Sequence, residues 1–113
     1  MDGIYKLTFR GAADWGIGLL ELRDGIVAGA DAAGATYDGT YRETDSDITL
    51  ELNMNVPPGV ALVQGSAPKS KHYSVPFHAT IPKQAIDDGT PVYVDLPPGP
   101  VNVIVTRLRE FVH

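Results

Sequence analysis

Apolar and polar residues alternate with period two through most of this chain. Tyr5, Leu7 and Phe9 stand opposite Lys6, Thr8 and Arg10. Ile48, Leu50, Leu52 and Met54 oppose Thr49, Glu51 and Asn53. Val75, Phe77, Ala79 and Ile81 oppose Pro76, His78 and Thr80, and Val92, Val94 and Leu96 oppose Tyr93 and Asp95. Successive side chains of a strand point to opposite faces, so each run predicts a strand with one buried and one wet face. Two further runs are apolar on both sides. Ile17 and Leu19 oppose Leu20 and Leu22; Val103 and Val105 oppose Ile104 and Leu108. One face of each fills the core, and the other needs a cover from the same chain or from a second copy. Few residues remain to make that cover. The pattern therefore predicts a homodimer, with Ile17, Leu19, Val103, Ile104 and Val105 as candidate interface positions, without deciding which side points outward.

Turn signals separate the runs. Asp24-Gly25 and Asp88-Gly89 read as hairpin dipeptides, because glycine accepts the positive φ of tight turns. Pro57-Pro58-Gly59 and Pro97-Pro98-Gly99-Pro100 lack ladder donors and must end strands. Gln64 to Ser74 reads as the longest loop, and Pro82 to Ile86 as one helical turn, reaching at most to residue 87. About eight strands result, near residues 2–10, 16–23, 26–31, 36–43, 47–56, 60–63 or 75–82, 91–96 and 101–110. The expected fold class is all-β: a small antiparallel barrel, since closure removes exposed edges, with a two-sheet sandwich as the alternative.

The 113 residues, 43 % apolar, are those of a single soluble domain spanning 1–113. No cysteine is present, which excludes a disulfide framework and a thiolate metal site. The start, Met-Asp-Gly-Ile-Tyr, does not resemble a signal peptide, and no apolar stretch approaches the roughly 20 residues of a membrane helix. The expectation is a cytoplasmic protein without a membrane partner. A pI near 4.9 argues against direct nucleic-acid binding, which needs a clustered basic surface. The charge is uneven: residues 1–56 hold ten acids and four bases, residues 57–113 four acids and five bases. An electrostatic partner should be basic and meet the N-terminal half.

Catalytic and metal motifs fail on inspection. Gly16-Ile-Gly18 begins like a dinucleotide fingerprint, but Glu21 follows where glycine belongs and no helix is expected. His72, His78 and His113 lack ligand spacing. Ser70, His72 and Ser74 sit in a loop that cannot hold a triad in orientation. No enzyme activity, cofactor or metal is expected.

The acidic residues carry more. Six of the fourteen fall between Asp31 and Glu51, against one base, Arg42. Glu43, Asp45 and Asp47 recur at every second residue, which in an extended backbone places three carboxylates on one side. The choice is between a solvated turn that keeps an edge soluble and a protein-binding patch. The turn lacks the glycine and spacing of a calcium loop and any pocket that would tune a catalytic carboxyl. In Tyr37-Asp-Gly39-Thr-Tyr41 two tyrosines flank a glycine on one face, which reads as core packing or as the wall of an apolar cavity. With Tyr5 and Phe77 these are the candidate cavity residues for a small apolar ligand, since eight-stranded barrels can hold one.

Taken in order, these segments resemble one family. Asp2-Gly-Ile-Tyr-Lys-Leu-Thr-Phe9, Asp24-Gly-Ile-Val-Ala-Gly-Ala-Asp31, Tyr37-Asp-Gly39 with the acidic turn and Ile48-Thr-Leu50, and Ile81-Pro-Lys-Gln-Ala-Ile86 look like the GrlR-like family. Its members are negative regulators of type III secretion gene expression. The resemblance implies a lipocalin-like barrel, a homodimer with apolar surface, and no catalysis. It also implies transcription regulation by sequestering a basic, DNA-binding activator of the GrlA type. The family's acidic tetrapeptide, Glu-Asp-Glu-Asp, corresponds here to Glu43-Thr-Asp-Ser-Asp47. Glu43, Asp45 and Asp47 remain acidic, while Thr44 and Ser46 interrupt them.

Overall fold

The structure, a computed structural model, describes residues 1–111. Among the described residues, eight strands and one short helix follow one another: β1 (Gly3–Arg10), β2 (Trp15–Arg23), β3 (Ile26–Asp31), β4 (Thr36–Glu43), β5 (Asp47–Val56), β6 (Tyr73–Pro82), α1 (Lys83–Asp88), β7 (Val92–Val94) and β8 (Val101–Glu110). The sheet is antiparallel throughout, in the order β6-β5-β4-β3-β2-β1-β8-β7. The first six strands form a meander, and β8 returns beside β1. The sheet curls into a nearly closed barrel with its inward residues as one core, as the alternation predicts. Tyr5, Val27 and Val56 are the most completely buried large side chains.

Local chemistry explains the corners. Asp24 and Gly25 have φ of 51° and 81°, the paired positive values of a two-residue turn that matches strand twist. At the next corner Asp31 Oδ1 accepts hydrogen bonds from the Ala33 and Ala35 amides, at 3.0 and 3.1 Å. One extra residue enters the β1–β8 ladder: Ile4 pairs with Arg109 and Tyr5 with Arg107. Leu108, skipped by this bulge, stands exposed.

The gap lies between β6 and β7, which do not pair. Pro76 and Pro82 lie on β6, a strand at the sheet's edge, where a missing donor is tolerated. Helix α1 connects the two edges and buries Ala85 and Ile86. The expected helical turn thus forms, but Asp88-Gly89 is no hairpin. Gly89 closes the helix in the left-handed region, its amide donating to Ala85 O at 3.0 Å. Asp88 then accepts from the Thr90 hydroxyl and amide, at 2.6 and 3.0 Å. Residues 60–63, an alternative strand on the sequence pattern, belong instead to a long loop between β5 and β6, and β7 is shorter than residues 91–96.

Candidate functional site

The barrel encloses a cavity of about 660 Å³. That is ample for a small ligand, since ligand pockets span roughly 300–1,000 Å³. Its wall is the inward side of the alternating strands, including Leu7, Phe9, Leu50, Leu52 and Val105. Ile86 of α1 reaches it from one end. At the other end the β1–β2 and β3–β4 corners and residues 60–68 form the rim. The loop is strapped across this end. Val63 O accepts the Ala13 and Asp14 amides at 2.9 and 3.0 Å, and Leu62 is buried in the core.

Three of the four tyrosine and phenylalanine candidates line this space: Tyr5, Tyr37 and Phe77. The Tyr5 hydroxyl donates to Met1 O at 2.6 Å, and burial raises its pKa. The Tyr37 hydroxyl donates to Asp31 Oδ2 at 2.7 Å; burial and then that carboxylate hold the phenol neutral. Tyr41 does not reach the cavity. Its hydroxyl donates to Asp2 at the opposite end of the barrel, and burial followed by that hydrogen bond pushes its pKa up to about 12.

The acidic hairpin lies at the end carrying α1, away from the strap. Expectation and structure differ in one respect: the three acids do not share one side of an extended strand. The backbone turns at residues 44–46, so Glu43 ends β4, Asp47 begins β5 and Asp45 sits at the tip. The Thr44 amide donates to Asp47 O at 2.9 Å, and the Asp47 amide donates to the Thr44 hydroxyl at 3.0 Å. Glu43 is occupied within the chain. It accepts from the N-terminal amine at 2.9 Å and from Lys83 Nζ at 2.8 Å, tying the N-terminus and α1 to β4. Asp45 is exposed and Asp47 partly so.

Lys83 first, and the terminal amine with it, hold the Glu43 carboxyl below its usual pKa. A depressed carboxyl stabilises the fold above its unfolded pKa, and the effect is lost as pH falls through the lower folded value. Glu43→Gln should therefore lower stability at neutral pH by no more than about 1 kcal/mol, as exposed pairs do. The difference from the parent should begin to shrink near about pH 4, where the unfolded carboxyl protonates, and vanish only below the depressed folded value. Denaturant melts at several pH values check this.

The structure divides the candidate interface residues. Val103 and Val105 face inward and line the cavity, so they cannot serve an outer contact. On the outer surface Leu19, Lys6 and Thr106 lie in one cross-strand row, and Ile17, Thr8 and Ile104 in the next. A third row runs from Trp15 through Arg10 and Asn102 to Tyr93. Trp15, Ile17, Leu19 and Tyr93 are 58, 41, 49 and 64 % exposed.

His72 and His78 remain apart from any metal-binding group, and among the described residues no three His, Cys, Asp or Glu side chains converge on one point. His113 lies outside the described residues. No helix among the described residues is long and apolar enough to cross a membrane. The strap and the rim residues Asp14 and Asp31 are not apparent as site residues from sequence. The one signal for them is the apolar run Val60-Ala-Leu-Val63 between two turn sequences, which fits a strand equally well. The fold and site define a nearly closed antiparallel β-barrel with an apolar interior. No family model matches the chain, and no curated protein matches it significantly.

Proposed function

We propose that this protein is a non-enzymatic regulatory binding protein of the GrlR-like kind. It works as a homodimer in the cytoplasm and restrains a basic, DNA-binding transcriptional activator by capturing it. The observation that carries this reading is the outer face of β2, β1, β8 and β7, with Trp15, Ile17, Leu19 and Tyr93 exposed in neighbouring rows. Such a surface in water favours association with another protein surface. Ile17, Leu19 and Ile104 then form the centre of the dimer contact. Asp45 and Asp47 attract the basic partner, and Glu43 holds the hairpin in place.

Sedimentation should give about twice the 12.1 kDa chain mass. Ile17→Asp should give monomer with an unchanged circular dichroism spectrum, and a monomeric parent at tens of micromolar would refute the dimer. Tagged protein should retain one basic DNA-binding protein from native lysate. Asp45→Asn with Asp47→Asn should abolish that capture, as should high salt, because screening acts over about 8–10 Å. Undiminished capture by the double variant would make the hairpin a solvated turn.

A second reading is supported by the cavity itself: a barrel that binds a small apolar molecule in the lipocalin manner. The two readings are compatible, since Leu19, Ile104 and Tyr93 of the outer face do not line the cavity, while Trp15 and Ile17 border its rim.

A further inference from the structure

We infer that the cavity selects amphiphiles with a non-anionic polar end, a long-chain amine or alcohol rather than a fatty acid. The inference rests on the cavity's being a ligand site and concerns the charge of what enters. Among the described residues the lining contains two carboxylates, Asp14 and Asp31, and no lysine, arginine or histidine. Both acids belong to the rim, on the β1–β2 and β3–β4 corners, with Gln64 and Ser66 of the strap nearby as neutral polar groups.

The hydrogen-bond pattern fixes the position of these carboxylates. Asp31 Oδ1 takes the amides of Ala33 and Ala35, and Oδ2 takes the Tyr37 hydroxyl at 2.7 Å. Those donors are consumed by the carboxylate and are not available to an anionic ligand. The Ala13 and Asp14 amides, which also face this rim, are taken by Val63 O. Asp14 Oδ1 accepts its neighbour's amide, from Trp15, at 2.8 Å. The bases of the β5–β6 loop do not compensate. Lys69 Nζ sits 4.3 Å over the Tyr73 ring, and neither Lys69 nor Lys71 lines the cavity.

A carboxylate head arriving at this rim would leave water, meet two like charges and find no counter-ion, so its desolvation is uncompensated. An ammonium would be attracted, and a hydroxyl can use the rim oxygens, Gln64 or Ser66. The apolar wall below serves all three equally. Discrimination therefore falls on the head group and works by exclusion of the anion.

The test uses the neutral fluorophore N-phenyl-naphthylamine bound to the full chain at neutral pH. Dodecylamine, dodecanol and dodecanoate, all below their micelle-forming concentrations, compete for it. Amine and alcohol should displace the probe at concentrations at least tenfold lower than dodecanoate. Asp14→Asn combined with Asp31→Asn should bring the dodecanoate-to-dodecanol ratio towards one. If the double variant does not fold, Asp14→Asn alone should narrow the ratio, as should added salt in the parent. Equal displacement by dodecanoate and dodecanol in the parent would overturn the inference while leaving the cavity as a ligand site intact. Failure of the probe to bind at all would overturn the ligand site, and this inference with it.

Discussion

Gly39→Ala should unfold this protein or lower its melting temperature by more than about 10 °C. Gly39 is the midpoint of β4, paired with Leu52 on β5, and its backbone does not require a positive φ. What it requires is space. A Cβ built there collides with the carbonyl oxygen of Glu51 and lies 3.0 Å from the Leu52 Cα. Neither obstacle is a flexible side chain, so the β4–β5 ladder itself must part. A cost of about 3 kcal/mol or more follows, in the range of severe overpacking. That is a large share of the roughly 5–15 kcal/mol by which a domain is stable. The exposed neighbour Thr40 provides the control, since Thr40→Ala should stay within about 0.5 kcal/mol. Thermal melts of both variants decide the matter. A shift of only a few degrees for Gly39→Ala would mean that the ladder relaxes cheaply at this point.

Ala79→Phe should reduce the binding of an apolar probe at least tenfold while leaving the fold intact. Ala79 lies on β6, is buried, and points into the cavity. In a filled core the added ring would cost about 1–3 kcal/mol. Here it enters empty space of about 660 Å³, where it gains contacts that the present wall lacks. Stability should therefore stay within about 1 kcal/mol of the parent or rise. Fluorescence titration with N-phenyl-naphthylamine and a denaturant melt test both halves. Unimpaired probe binding would place the ligand outside the barrel. A large loss of stability would mean that the interior is tighter than the static cavity suggests.

Much of the fold is legible in the amino-acid sequence. Period-two alternation over Tyr5–Phe9, Ile48–Met54 and Val75–Ile81 depends only on strand geometry, and each run forms a strand where expected. The proline cluster after Val56 ends β5 for an equally local reason, the missing amide, and the one at 97–100 lies in the connection between β7 and β8. Asp24-Gly25 makes the hairpin its sequence predicts because that turn closes within two residues. The same dipeptide at Asp88-Gly89 ends a helix instead, because a helix end and a hairpin both need a residue in the left-handed region. The dipeptide does not say which element precedes it.

The site is less legible. Spacing groups Glu43, Asp45 and Asp47, but the chain reverses between the first and the last, and Glu43 spends its charge on Lys83 and the N-terminus. Those partners lie some forty residues away in each direction, so no local pattern reveals them. Tyr41 shares an inward face with Tyr37, yet Asp2 draws its hydroxyl to the barrel's end.

The order of residues along the chain is enough to set the all-β character, the strand positions, most inward residues and the concentration of acid in one hairpin. All of these follow from backbone periodicity and local turn chemistry. It is not enough to place Val103 and Val105 inside and Ile104 on the surface, because a run apolar on both sides fits either register. Pairing of β8 with β1 makes that choice. The packed barrel likewise straps Val60 to Pro68 across the cavity and brings Asp14 and Asp31 to its rim. These are contacts between segments far apart in the chain, set by how the curled sheet gathers its corners.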